Sequence, residues 1–355
     1  VSTSKSSVFD IIRELTELPG PIGMEGPVQD WIEARWSAFA EVRRTRVDNV
    51  LAKVGGSGPR LALMAHADEI CFMVKSVSDD GFIHIWPYYG DTRGAPPKWV
   101  MPLNQSALIV TPSGTVDGVF ATASGHVVSA KERNTSGWEW NDWFIDIGAS
   151  SWEEVEAMGI HAGCRIIWNP KTRRFGEHRI SGKAMDDRAA LAIVTLAAER
   201  LAKQSNLPYE LWLVSTVQEE AGLHGAASIA DEIDVDLCIN LDVGLVGDIP
   251  GTDKRDFPNV MGAGPAVVYH DSSAHYSWKL SERLISIARD GGIPVQRAIY
   301  QSYGSDASAL LKRGTEIALV TYPTRYTHSP IEMVDERDIE ATVDLLEAFV
   351  VHAPS

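Results

Sequence analysis

His66, Asp186, the pair Glu219-Glu220, Asp242 and His328 are the residues whose types and settings could do chemistry in this 355-residue chain. Imidazole together with carboxylate suits divalent zinc, cobalt or manganese, which accept mixed nitrogen and oxygen ligands. Two histidines and three carboxylates also suffice for two ions, because a carboxylate can bridge while the others divide between them. Asp68 lies two residues after His66, on the same side of an extended chain. From there it can bond the imidazole and set its tautomer. Glu219 and Glu220 are consecutive, and neighbours on an extended strand point opposite ways. They are therefore expected to do different jobs. One binds metal; the other serves as general base to the water held there, then as general acid to a leaving amine.

Taken singly, each residue has a plain structural reading. A strand-end histidine is usually satisfied by its neighbours, and Asp186-Asp187-Arg188 could cap a helix with a surface ion pair. Glu219-Glu220 could be a solvated loop, Asp242 an Asx turn, and His328-Ser329-Pro330 an ordinary turn. Their positions along the chain argue against five separate coincidences. The buried run 61–65 ends at His66, strand 210–217 leads to Glu219-Glu220, and strand 237–242 ends at Asp242. His328 follows strand 317–322, and Asp186 stands just before a helix over 187–203. Open α/β sheets bind ligands outside the carboxyl ends of their strands, so one rim would collect all five side chains.

The elements around them alternate. Helices at 225–230, 278–289, 305–312 and 336–350 interleave with strands at 237–242, 295–300 and 317–322, which predicts an α/β fold with a mostly parallel central sheet flanked by helices. Two helices, near Phe9–Leu18 and 27–39, and strands at 42–47 and 50–54 precede the run ending at His66. Between Cys71 and Gly176 the texture changes. Short strands at 81–86, 106–111, 115–119, 143–147 and 164–168 are broken by Gly and Pro, and 7 of the 11 tryptophans lie in this stretch. That is the pattern of a small β barrel or sandwich. A helix over 151–158 carries a capping box formed by Ser151 and Glu154. The expected organisation is a catalytic α/β domain in two pieces, 1–70 and 177–355, with a β domain, 71–176, inserted between them.

Bulk properties remove several function classes. A net charge of −16 argues against a nucleic-acid partner, because phosphate binding needs a clustered basic surface. No apolar run approaches the roughly 20 residues that span a bilayer, so no membrane partner is expected. Cys71, Cys164 and Cys238 are odd in number, widely spaced and form no CxxC pair, which points to reduced thiols and a cytoplasmic setting.

The motifs His66-Ala67-Asp68-Glu69-Ile70, Ala184-Met185-Asp186-Asp187-Arg188 and Val217-Gln218-Glu219-Glu220-Ala221-Gly222-Leu223 resemble those of the M42 family of metallo-aminopeptidases. Leu241-Asp242-Val243-Gly244 and Arg325-Tyr326-Thr327-His328-Ser329-Pro330 complete the set, in order and over nearly the whole chain. The resemblance implies a zinc-peptidase-like fold with two divalent ions per subunit. His66 and Asp242 would serve one ion, Glu220 and His328 the other, with Asp186 bridging and Asp68 orienting His66. Glu219 would be the proton shuttle. It also implies a strained, cis-type peptide after Asp186, peptide substrates, and assembly into dodecamers or smaller dimer-based oligomers through the inserted domain. A tryptophan-rich insert suits such contacts. Two positions depart from the family's wording. Cys71 stands where many relatives carry Gly, and Tyr303-Gly304-Ser305-Asp306 replaces a more glycine-rich turn. Neither is expected to touch a proposed ligand.

Three other readings were weighed. A glycoside hydrolase of the endoglucanase type needs two opposed carboxylates and leaves both histidines idle. An M20-like carboxypeptidase or deacylase shares the order of ligands, but not the Asp-Asp-Arg and Arg-Tyr-Thr-His-Ser wording or the early β insert. A catalytically silent binding protein would not need every ligand and the base intact.

Overall fold

The computed structural model describes residues 7–87, 105–129 and 139–353; Trp99 and Trp138 of the insert lie outside them. Helices α1 (Val8–Glu17) and α2 (Gly26–Trp36) come first. The Ser7 hydroxyl caps α1 by accepting the Asp10 N–H at 3.2 Å. Strands β1 (Glu41–Arg44), β2 (Val50–Gly55) and β3 (Arg60–His66) follow. Then come β4 (Phe72–Val77), β5 (Ile83–Pro87), β6 (Ser106–Thr111), β7 (Gly114–Ala121) and β8 (Phe144–Asp146). Helix α3 (Trp152–Ala157) and β9 (Arg165–Trp168) complete that stretch. Next are β10 (Arg173–Phe175), β11 (Arg179–Gly182), α4 (Met185–Leu201), β12 (Glu210–Thr216), α5 (His224–Ile229) and β13 (Leu237–Leu245). The chain continues with β14 (Ala266–His270), α6 (Trp278–Asp290), β15 (Gln296–Ile299) and α7 (Ala307–Leu311). It closes with β16 (Glu316–Arg325), β17 (Glu332–Asp335) and α8 (Glu336–Val351).

The chain divides into two compact units, one of Val1–Glu69, Thr172–Thr327 and Glu332–Ser355, the other of Ile70–Lys171 with His328–Ile331. The larger unit is built on an 11-stranded sheet with β1-β2-β12-β3-β13-β16-β17-β11-β10 along its main path. Its centre, β12-β3-β13-β16, is parallel, and antiparallel strands extend it on both sides. Both faces are covered. On β3, Leu61, Leu63 and Ala65 enter the core shared with α1, α2, α4, α6 and α8, whereas Ala62 and Met64 enter the core beneath α5 and α7. This two-sided burial is why β3 reads as an unbroken apolar run, as parallel strands do. Helix α4 is buried nearly all round, since it lies beneath both α1 and α8.

The smaller unit is a closed six-stranded barrel, β4-β5-β8-β7-β6-β9. Phe72 sits at its centre, with the rings of Phe120 and Trp168 edge-on at 5.2 and 5.4 Å. Local details differ from expectation. The Ser151 hydroxyl caps α3, but the Glu154 carboxylate reaches back to the N–H of Ser150 rather than that of Ser151. Strands β10, β11, β14 and β17 are too short for a sequence period to reveal.

Candidate metal centre

The parallel strands bring the sequence-selected side chains to one end of the sheet. His66 is the last residue of β3 and is 2% exposed. Its Nε2 faces Asp186 Oδ1 at 3.0 Å. Asp186 stands at the start of α4, where it and Asp187 have non-helical backbone angles and the peptide between them is cis. The Glu332 carboxylate accepts the Asp186 N–H at 2.9 Å, and the Thr327 hydroxyl donates to Asp186 Oδ2 at 3.0 Å. Asp242 lies inside β13, three residues before its end, because the strand runs further than its apolar core suggests. Potential ligand atoms of His66, Asp186, Asp187 and Asp242 lie within 4.8 Å of one another. So do those of His66, Glu219 and Glu220, and those of Asp186, Glu220 and His328.

Asp187 belongs to the first of these groups, but its oxygens are engaged elsewhere. Oδ2 accepts the His66 N–H at 3.1 Å and Oδ1 accepts the Tyr322 hydroxyl at 2.6 Å. It holds β3 and β16 to the start of α4. Asp68, fully buried, accepts the N–H groups of Glu219 and Glu220 at 2.9 and 3.0 Å. Its approach to His66 Nδ1, at 3.5 Å, is a charge contact longer than an ordinary hydrogen bond. Glu219 and Glu220 are not on an extended strand. β12 ends at Thr216, Gln218 takes a left-handed φ of +53°, and the pair occupies the turn that follows.

The turn Tyr303-Gly304-Ser305-Asp306 does touch a proposed ligand, contrary to expectation. The Ser305 hydroxyl donates to Asp242 Oδ2 at 2.7 Å and accepts from the Asn240 amide at 2.5 Å. Asp306 is buried, and its Oδ2 meets the Thr216 hydroxyl at 2.5 Å. No local signal marked these residues.

The electrostatics show a surplus of buried negative charge. Burial pushes the Asp242 carboxyl up to about 7, and neighbouring Asp186 adds to the effect. Burial, then Asp68, does the same for Asp306, also to about 7. Glu219 is held well above the usual range by burial, then by Asp306, Glu220 and Asp242. Burial also works against the charged form of His66. The surrounding Asp186, Asp68, Asp187 and Glu219 outweigh it and hold the ring well above an ordinary histidine. One imidazole cannot balance so many desolvated carboxylates, whereas divalent cations can. The donor set therefore fits divalent metal, with nitrogen and oxygen ligands in a buried pocket.

Imidazole and carboxylates gathered at the carboxyl end of parallel strands, in an α/β unit interrupted by a small barrel, define a hydrolase of the metallopeptidase class. The chain belongs to the M42 peptidase family: the family model described as M42 glutamyl aminopeptidase matches residues 48–345. It is accordingly an enzyme, a hydrolase acting on peptide bonds. Lysyl aminopeptidase of Pyrococcus furiosus is 29% identical, with 96% of each chain covered. The aminopeptidase APDkam598 of the archaeon Desulfurococcus kamchatkensis superposes with a TM-score of 0.89 at 32% identity, covering 98% of this chain and 95% of that one. The TET1 peptidase of Pyrococcus horikoshii, which can assemble into a tetrahedron or a large octahedral shell, gives 0.86 at 26% identity, covering 98% and 100%. Among the described residues no helix is long and apolar enough to cross a membrane.

Proposed function

We propose that the protein removes N-terminal residues from peptides at a pair of divalent ions. His66 and Asp242 would hold one ion and Glu220 and His328 the other, with Asp186 available to both. The observation that carries this reading is the convergence of buried imidazole and carboxylates from separate segments within 4.8 Å. His66, Asp186 and Glu220 each occur in two of the ligand groups, and Asp186 is the one grouped both with His66 and Asp242 and with Glu220 and His328. When bound, such ions lower the pKa of a water toward neutrality and polarise a scissile carbonyl. Glu219 takes the water's proton during attack and returns it to the departing amine. A free α-amino group held near the metals or by nearby acidic groups would make cleavage exopeptidic. Zinc or cobalt is the metal we assign, with manganese the third choice.

Two opposed carboxylates acting on a sugar would leave His66 and His328 without a role, and the family match sets the M20-like reading aside. Homo-oligomeric assembly through the inserted barrel follows by analogy with the shell-forming TET1 peptidase. The buried free thiols of Cys71, Cys164 and Cys238 agree with a reducing, cytoplasmic setting.

The test is hydrolysis of an aminoacyl-anilide panel before and after chelation, with metal analysis of Glu219→Gln. Chelation should abolish turnover, and zinc or cobalt should restore it. Glu219→Gln should keep its metal and lose about 100-fold or more in kcat. Chelator-resistant turnover, or full activity in the variant, would overturn the reading.

A further inference from the structure

We propose that Glu25 is a positioning residue for Glu219 and Glu220, and that with Asn49 and Asp68 it cradles the backbone turn carrying them. What the pair does rests on the function proposed above; how the pair is held rests on separate geometry. Four consecutive N–H groups beyond β12 donate to side chains instead of to the sheet. Val217 donates to Asn49 Oδ1 at 3.0 Å and Gln218 to Glu25 Oε1 at 3.2 Å. Glu219 and Glu220 donate to the two oxygens of Asp68. The three acceptors come from distant parts of the chain, and each is at most 4% exposed.

The turn needs such a clamp. Gln218 sits at a φ of +53°, a region that residues with a Cβ seldom adopt. Burial removes water as an alternative partner for the Val217 and Glu219 N–H groups, while the Gln218 and Glu220 bonds are half-buried and rest on their buried acceptors. Glu25 Oε1 also accepts the Gly23 N–H at 2.7 Å, so one oxygen ties the 21–25 loop to the turn. The Asn49 amide donates to Gly225 O at 3.0 Å and Ser228 Oγ at 2.9 Å, which anchors the other side of the cradle to α5. On an extended chain the two glutamates would diverge. In this turn both reach a cluster with His66. Glu25 touches no reacting atom in this scheme; it acts through the Gln218 peptide.

The contact needs an accepting oxygen and not a charge, so Gln should replace Glu25 and Ala should not. The experiment compares Glu25→Gln, Glu25→Ala and Glu25→Asp in the full-length, metal-loaded enzyme. It measures kcat, KM, bound metal per chain and thermal melting. Glu25→Gln should stay within about threefold of the parent kcat. Glu25→Ala should lose about 10–100-fold in kcat or metal affinity, as loss of an outer partner does, with KM changed less than kcat. If Glu25→Ala does not fold, Glu25→Asp decides the matter. Its shorter arm should leave a folded but slow enzyme. Parent-like kcat together with parent-like metal affinity in Glu25→Ala or Glu25→Asp, or equal losses in Glu25→Gln and Glu25→Ala, would overturn the cradle. Glu219→Gln in the same assay separates the two ideas. Its full activity would remove the general base, whereas its inactivity beside a parent-like Glu25→Ala would remove the cradle alone.

Discussion

Asp242 is held at both oxygens. Oδ1 accepts the Val243 N–H at 2.7 Å, and Oδ2 accepts the Ser305 hydroxyl, which is itself oriented by Asn240. A carboxylate fixed in this way presents its remaining lone pairs in one direction, which is what metal selectivity and affinity need. Ser305→Ala should therefore weaken divalent-metal affinity by about tenfold or more while leaving the fold intact. Calorimetric titration of the metal-free protein with zinc, set beside melting curves, tests this. Unchanged affinity would show that the Ser305 contact is incidental.

At the scale of elements, α4 is locked to the N-terminal helix by a buried ion cluster. Arg188 donates to Ala67 O and Leu15 O, each at 2.8 Å, and Lys183 donates to both oxygens of Glu69 at 2.7 and 2.9 Å. Burial pushes Lys183 down to about 8, although Glu69 opposes the shift. Gly20 is required beside this cluster, because a Cβ there would lie 2.4 Å from Arg188 Nη2 and 2.8 Å from Val28 Cγ2. Removing one partner leaves buried charge uncompensated, so Arg188→Ala should cost about 3–5 kcal/mol in a denaturant titration. A loss under 1 kcal/mol would mean that water replaces the guanidinium. In the first turn of α8, Asp338 accepts the N–H groups of Gly262 and Gly264, each at 2.7 Å. Burial outweighs those bonds and raises its carboxyl from 3.8 to about 6. A carboxyl with a raised folded pKa contributes its stability in full below about 4, and that contribution is lost as pH climbs through about 6. The change is of the order of 3 kcal/mol at most. Asp338→Asn should flatten the slope of stability between pH 4 and 6, measured by urea midpoints; an unaltered slope would reject the assignment.

On the scale of the whole molecule, one unit carries Asp68, Glu219 and the proposed ligands His66, Asp186, Glu220 and Asp242, and the proposed ligand His328 is grouped with the barrel unit. The barrel leaves Trp86 and Trp152 more than 40% exposed, and such aromatic surface suits a subunit contact. Sedimentation should give a mass several times the 38.8 kDa of one chain. Trp86→Glu combined with Trp152→Glu should lower that mass, and a sedimenting monomer in the parent protein would dismiss the assembly. If the oligomer encloses its sites, short peptides should be trimmed and folded proteins spared.

His66, Asp186, Glu220, Asp242 and His328 could be picked from the chain itself as candidates, and each recurs in a cluster of potential ligand atoms. Each stands within or just beyond a buried strand or opens a helix, and apolar periodicity records such local burial. The alternation of helix and strand likewise announced the α/β unit, and the short Gly-punctuated strands announced the barrel. Tertiary structure alone decided that Glu219 and Glu220 sit in a turn, that Asp187 bonds the His66 N–H and Ser305 the Asp242 carboxylate, and that Glu25 and Asn49 accept the N–H groups just before Glu219. The physical reason is distance along the chain. Glu25 lies 193 residues from Gln218 and Ser305 lies 63 from Asp242. A buried hydrogen bond between such partners leaves no period in either neighbourhood, so only the packed sheet brings donor and acceptor together.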